Sequence, residues 1–207
     1  MLPTYKPNYN NTMKKLSYVM MIAASALAFQ SCNHAAKDAK DTADSLNKTK
    51  DTTTNVAATG GIAVSSDDAK FATTAANGGL AEVALGKLAL TKTTNASIKD
   101  FANMMVMDHG AANAELMAIA KTKNITLPSE PDSAHLKKAD ELSKLSEPDF
   151  NKQYVSAMID GHKKTLDLMN DEAKNGKDST LKAFAAKTAP VVQKHLDAIN
   201  KIKDGMK

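Results

Sequence analysis

Along residues 67–204 apolar side chains recur every three or four positions, the spacing of helices that each bury one face. Four such stripes stand out. The first carries Phe71, Ala75, Gly78, Glu82, Leu85 and Ala89 and predicts a helix from about Asp67 to Thr91. Ser65 or Ser66 can cap it, with Asp67 and Asp68 at the positive end of its dipole. The second carries Ile98, Phe101, Met105, His109, Ala112, Leu116 and Ile119, and predicts a helix from about Ala96 to Lys123 behind an Asn95 cap. The third carries Phe150, Tyr154, Met158, His162, Thr165 and Met169. It opens at Ser146-Glu147-Pro148-Asp149, where a proline in the first turn costs little. Asn175-Gly176-Lys177-Asp178 reads as a stop, a turn and a new cap. The fourth helix then runs to about Asp204 through Leu181, Phe184, Thr188, Val191, His195, Ile199 and Ile202.

Each predicted helix has roughly 25–30 residues, or about 40 Å of length. Tight turns join the first helix to the second and the third to the fourth. The pairs are separated by a segment that opens on the breakers Leu127-Pro128-Ser129-Glu130-Pro131 and holds a short amphipathic helix from about Ser133 to Leu145. Short, long, short connections predict an all-α fold. Residues 67–205 are expected to form a ferritin-like four-helix bundle with a long crossover carrying a short extra helix.

Ahead of the bundle the pattern changes. In residues 13–31, Lys14 and Lys15 lead into an apolar run from Leu16 to Phe29. The run is shorter than the about 20 residues a bilayer span needs, and it suits the core of a signal peptide. Phe29-Gln30-Ser31-Cys32 resembles a lipobox, in which the cysteine receives a lipid and becomes the mature N-terminus. That reading predicts lipidation at Cys32, membrane attachment through the lipid, and a cell-envelope location at the outer membrane or periplasmic face. The alternative is an ordinary secretory signal with an incidental cysteine. Residues 1–12 match no part of a signal, as though Met13 were the true start. Residues 32–66 are rich in Lys, Asp, Thr, Ala and Asn, with few large apolar side chains, and predict a disordered tether.

Composition fits this division. Hydrophobic residues make up 43% of the chain but aromatics only 4%, with no Trp, so the core must be built from small aliphatic side chains and Met. The net charge of +4 would suggest nucleic acid, yet every one of the 27 basic residues is Lys, and the bidentate guanidinium fork is missing. Removing Lys6, Lys14 and Lys15, which precede Cys32, from the 27 lysines leaves 24 against 23 acidic residues, a net +1. No nucleic-acid partner is expected, and no protein partner is specified. Cys32 is the only cysteine, so an intramolecular disulfide is excluded.

Each stripe holds one ionisable residue near its middle: Glu82, His109, His162 and His195. Burying such groups without partners is unfavourable by several kcal/mol, about 2–7 for a neutral polar group and more for a charge. Four of them in one core should satisfy each other or an ion. One Glu and three His supply the four ligands a Zn²⁺ ion takes, and imidazole also suits Cu or Fe. Gly78, Gly79, Gly110 and Gly161 flank these positions, either for close helix packing or to leave space. Pro190 should kink the fourth helix. Depth is the difficulty. Counted from the turns, His109 lies about five residues deeper than Glu82, and His195 about five deeper than His162, an axial offset of roughly 7 Å.

Phe71-Ala72…Gly79…Glu82, Asp108-His109, Phe150…Tyr154…His162 and Pro190…His195-Leu196 resemble the exported bacterial ferritin-like family of unknown function, often described as outer membrane proteins. The resemblance implies the fold and the envelope location, and no activity. A di-iron centre is not expected, because Val106, Ile159 and Val192 stand three residues before the histidines where Glu-x-x-His would place carboxylates. Two readings remain: a mononuclear Zn, Cu or Fe site in the bundle core, or a metal-free structural or protein-interaction bundle of the envelope. An enzyme is the least favoured, since no nucleophile motif, phosphate loop or His-Glu-x-x-His is present.

Overall fold

Capping side chains set the helix boundaries in the computed structural model, which describes residues 38–50 and 64–206. Helix α1 spans Ala39–Lys50 and α2 spans Ser66–Lys92. Ser65 Oγ accepts from Asp68 N at 3.2 Å, closing the first turn of α2. Asn95 Oδ1 accepts from Ile98 N at 3.1 Å and opens α3, Ala96–Met104. This rod passes through a π-helical turn, Met105–His109, into α4, Gly110–Thr122. Asp132 caps α5, Ser133–Ser143; Ser146 precedes α6, Glu147–Asn175, with Pro148 in its first turn. Asp178 Oδ1 accepts from Thr180 N and Leu181 N, both at 3.0 Å, and starts α7, Ser179–Gly205. The last runs uninterrupted past Pro190.

The result is an all-helical bundle, with no strand among the described residues. Turns of three residues, 93–95 and 176–178, join α2 to α3 and α6 to α7, and the long connection carries α5. Glu147 ties the first turn to the start of α6 by accepting from Thr94 N and, at 2.7 Å, from Thr94 Oγ1. Those hydrogen bonds hold its carboxyl below the ordinary range.

The core is divided. One apolar cluster gathers Phe71, Leu116, Met169, Leu181 and Phe184, and the other Leu85, Ile98, Phe101, Met105, Tyr154, Met158 and Ile199. Edge-on ring packing of Phe71 on Phe184 and of Phe101 on Tyr154 anchors the two ends. Fully buried alanines (Ala72, Ala89, Ala102, Ala185) let backbones come close. At Gly86 one helix meets the backbone of the next: a Cβ there would lie 3.0 Å from the Ala102 carbonyl and 3.1 Å from Met105 Cβ.

Two expectations need correction. The segment 32–66, read as a disordered tether, contains α1. Ala43 and Asn47 of α1 are buried, and Asn47 makes a two-point bond with Thr126, donating to its carbonyl at 2.8 Å and accepting from its N–H at 2.7 Å. Polar pairing replaces the large apolar residues the segment lacks. On α7 the buried valine is Val192, whereas Val191 is exposed. The expectations for residues 1–31 and for Cys32 lie outside the described residues. No described helix is long and apolar enough to cross a membrane.

Candidate metal centre

Between the two apolar clusters each long rod contributes one polar side chain. Glu82 comes from α2, His109 from the end of the π turn, His162 from α6 and His195 from α7, and all four are buried. The imidazole rings form a nearly equilateral triangle, with centroids 5.4 Å (His109–His162), 5.2 Å (His109–His195) and 5.5 Å (His162–His195) apart. One ring nitrogen from each lies within 4.8 Å of the other two, the one such group among the described residues. The expected axial offset is therefore closed. Side chains on a helix lean toward its N-terminus, so across an antiparallel pair Glu82 leans away from the turn and His109 toward it. His162 and His195 converge in the same way across their own turn.

Each ring has one nitrogen engaged and one free. His109 Nδ1 lies 2.9 Å from Glu82 Oε2. His162 Nδ1 donates to the Met158 carbonyl at 2.8 Å, and His195 Nε2 lies 2.9 Å from Asp108 Oδ2. A carbonyl only accepts, so the proton of His162 is committed to Nδ1 and the lone pair to Nε2. The remaining nitrogens, His109 Nε2, His162 Nε2 and His195 Nδ1, are buried without a hydrogen-bond partner. Phe101 backs the group, its ring 5.8 Å from His162 and 6.5 Å from His195, so that side excludes water.

Glu82 stands beside the triangle. Its Oε2 faces His109, and its Oε1 lies 3.6 Å from His162 Nδ1 and 3.4 Å from Thr165 Oγ1, which donates to it. Burial pushes its carboxyl up, and the three imidazoles, His109 above all, pull it further down, so it ends below its usual value. His109 is the mirror case. Burial works against its charged form, but Glu82 outweighs burial and raises it, leaving an ion pair. His162 and His195 are lowered, chiefly by burial, and stay neutral at neutral pH. The site thus holds two imidazoles ready to give a lone pair and a third whose proton an arriving cation displaces.

Asp108 is the residue that sequence reading missed. It precedes a candidate ligand directly, and neighbours on an α-helix point about 100° apart. The π turn lets Asp108 hold His195 while His109 meets Glu82. Nothing in the local composition marks that turn; only the Asp108-His109 pair itself was visible. The neighbouring glycines divide by role. A Cβ at Gly79 would collide with Asn113, so close packing explains it, while Gly110 faces open space. Met105, Met158 and Met169 fill the apolar clusters, and Met107 and Met117 are exposed. The ring of His135 is 42% exposed and lies 2.6 Å from Asp132 Oδ1, on the crossover.

Residues 51–202 match the model of a family described as Domain of unknown function (DUF4142). No curated protein and no solved structure matches the chain.

Proposed function

The chain belongs to the domain-of-unknown-function family DUF4142, and for this member we propose that the bundle binds one transition-metal ion, Zn, Cu or Fe, through His109, His162 and His195. The observation that carries this reading is the set of three unpartnered nitrogens, one per ring, buried around a common centre. Left unmade, each is unfavourable by about 1–3 kcal/mol. An ion satisfies all three at once. Bound at about 2.0–2.1 Å, it would draw the nitrogens together to about 3.4 Å, a movement within reach of side-chain rotation. Glu82 and Asp108 then act on the far nitrogens of His109 and His195, as the Met158 carbonyl does for His162, which is the outer arrangement that fixes ligating imidazoles. Glu82 is in this reading an orienting carboxylate, with the fourth position left to water or to Glu82 itself after rotation.

The wider setting is part of the same proposal. Short, long, short connections support a ferritin-like order of helices. Phe29-Gln30-Ser31-Cys32 supports export and lipidation at Cys32, so that the bundle would bind its ion in the cell envelope.

Elemental analysis and titration of the purified chain test the centre. One ion per chain is expected, lost in a His162→Leu variant and bound about 10–100-fold more weakly in Asp108→Asn, where the hold on His195 is weakened. A chain that takes up none of Zn²⁺, Cu²⁺ or Fe²⁺ would leave the four polar groups as a packing network and the protein as a structural bundle.

A further inference from the structure

Glu82 belongs to two environments. Inside the core it meets His109, and on its other side it lines a cleft of about 700 Å³ between α2, α5 and α6. None of the three histidines lines that cleft; Glu82 and His109 are each 5% exposed, His162 0% and His195 2%. Of the four polar groups at the centre, Glu82 alone lines this cleft. A closed site of this kind needs a way in for its ion.

Two glycines border the cleft at that point. A Cβ at Gly161 would sit 3.8 Å from Glu82 Oε1, and one at Gly78 would sit 3.9 Å from Thr165 Oγ1. Both are ordinary van der Waals distances. A Cβ would press on the Ala102 carbonyl at Gly86 and displace the Asn113 side chain at Gly79, but would meet no such obstacle at Gly78 or Gly161. Glycine inside a helix is still less favourable than alanine by about 1 kcal/mol. What the two positions have in common is a clear floor in front of the carboxylate. The rim is fixed as well: Asn77 donates to Asp132 Oδ2 at 2.7 Å and accepts from Asp132 N at 2.8 Å, pinning the start of α5 across the cleft.

We infer that this cleft is the route by which a hydrated divalent cation reaches the imidazoles, with Glu82 as the first protein ligand it meets. The inference rests on the metal-centre reading above. A carboxylate oxygen accepts a cation that still carries most of its water, and imidazole nitrogen binds transition ions more firmly once water is shed. Hand-over runs from Glu82 Oε1, facing the cleft, to the nitrogens behind it as Glu82 turns. Gly161 and Gly78 keep the path open from opposite walls, on α6 and α2.

Stopped-flow uptake of Co²⁺ by the purified full chain, followed by its visible absorbance, tests the route. Gly161→Leu fills the floor and should slow both uptake and release by about tenfold or more, because passage now waits on a conformational opening. The final stoichiometry of Co²⁺ should not change, since no ligand is altered. Gly78→Leu attacks the opposite wall and decides the matter if the first variant does not fold. Folded leucine variants that take up Co²⁺ at the wild-type rate overturn the route and leave the metal centre standing. A wild-type chain that takes up no Co²⁺ overturns both.

Discussion

Single residues were legible where chemistry contrasts with surroundings. Glu82, His109, His162 and His195 each interrupt an apolar stripe, so their burial could be read from spacing. Residue counts set them at different depths, and their convergence needed the lean of the side chains. Val191 and Val192 could not be separated, since both lie a helical turn past Thr188, at three and four residues. Glu172 escaped notice for another reason: it follows Asp171 in what reads as solvated helix surface. In the structure it is buried against Asp68, whose oxygens accept from Ser65 Oγ, Lys177 N and Asp178 N. Burial first, then the Asp68 charge and hydrogen bond, push the Glu172 carboxyl up to about 7. The fold therefore prefers protonated Glu172. Its contribution to stability is complete below the ordinary pKa of 4.5 and is lost as pH rises through about 7. Glu172→Gln, neutral at every pH, should melt like the wild type at pH 4, and higher than it at pH 8. A variant that melts lower than the wild type at pH 8 would show that the ionised carboxylate is the favoured form.

Elements were legible where apolar period, cap and breaker agree. Ser65, Asn95 and Asp178 make the predicted caps, and the four rods fall within a few residues of the expected bounds. Two elements were not visible. The π turn leaves the apolar spacing intact, because Met105 and His109 are still four apart and both buried. Helix α1 has no apolar stripe to read; its mean hydropathy gives no reason to fold, and Asn47 holds it by bonding both backbone groups of Thr126. Lys50 adds a 2.6 Å bond to Thr126 Oγ1. If the Asn47 pair is what docks α1, Asn47→Ala should release that helix alone. Hydrogen exchange would then show amides of residues 39–50 losing protection while α2, α6 and α7 keep theirs. Unchanged protection in α1 would mean that Ala43 and the contact with α2 suffice.

At the scale of the whole molecule, the polar group divides a core that would otherwise be continuous. The two apolar clusters sit on either side of it, each tied to at least three of the four rods, so neither depends on the centre for its own packing. Metal removal should for that reason leave the helices in place and lower their stability. An ion present at 100 times its dissociation constant stabilises the folded chain by about 2.7 kcal/mol. For a domain of this size that corresponds to about 5–10 °C in melting temperature. Circular dichroism should show the same helical signal with and without chelator, with Tm falling by that amount once the ion is withdrawn. His162→Leu separates the ion from the fold. It replaces a buried imidazole that has one nitrogen unpartnered by a side chain with no polar group to satisfy, so its metal-free form should melt within a few degrees of wild type or above it. The same variant should show no response to Zn²⁺. A wild-type Tm that ignores Zn²⁺, Cu²⁺ and Fe²⁺ alike would mean that the three free nitrogens are a tolerated cost of packing four rods around a polar seam.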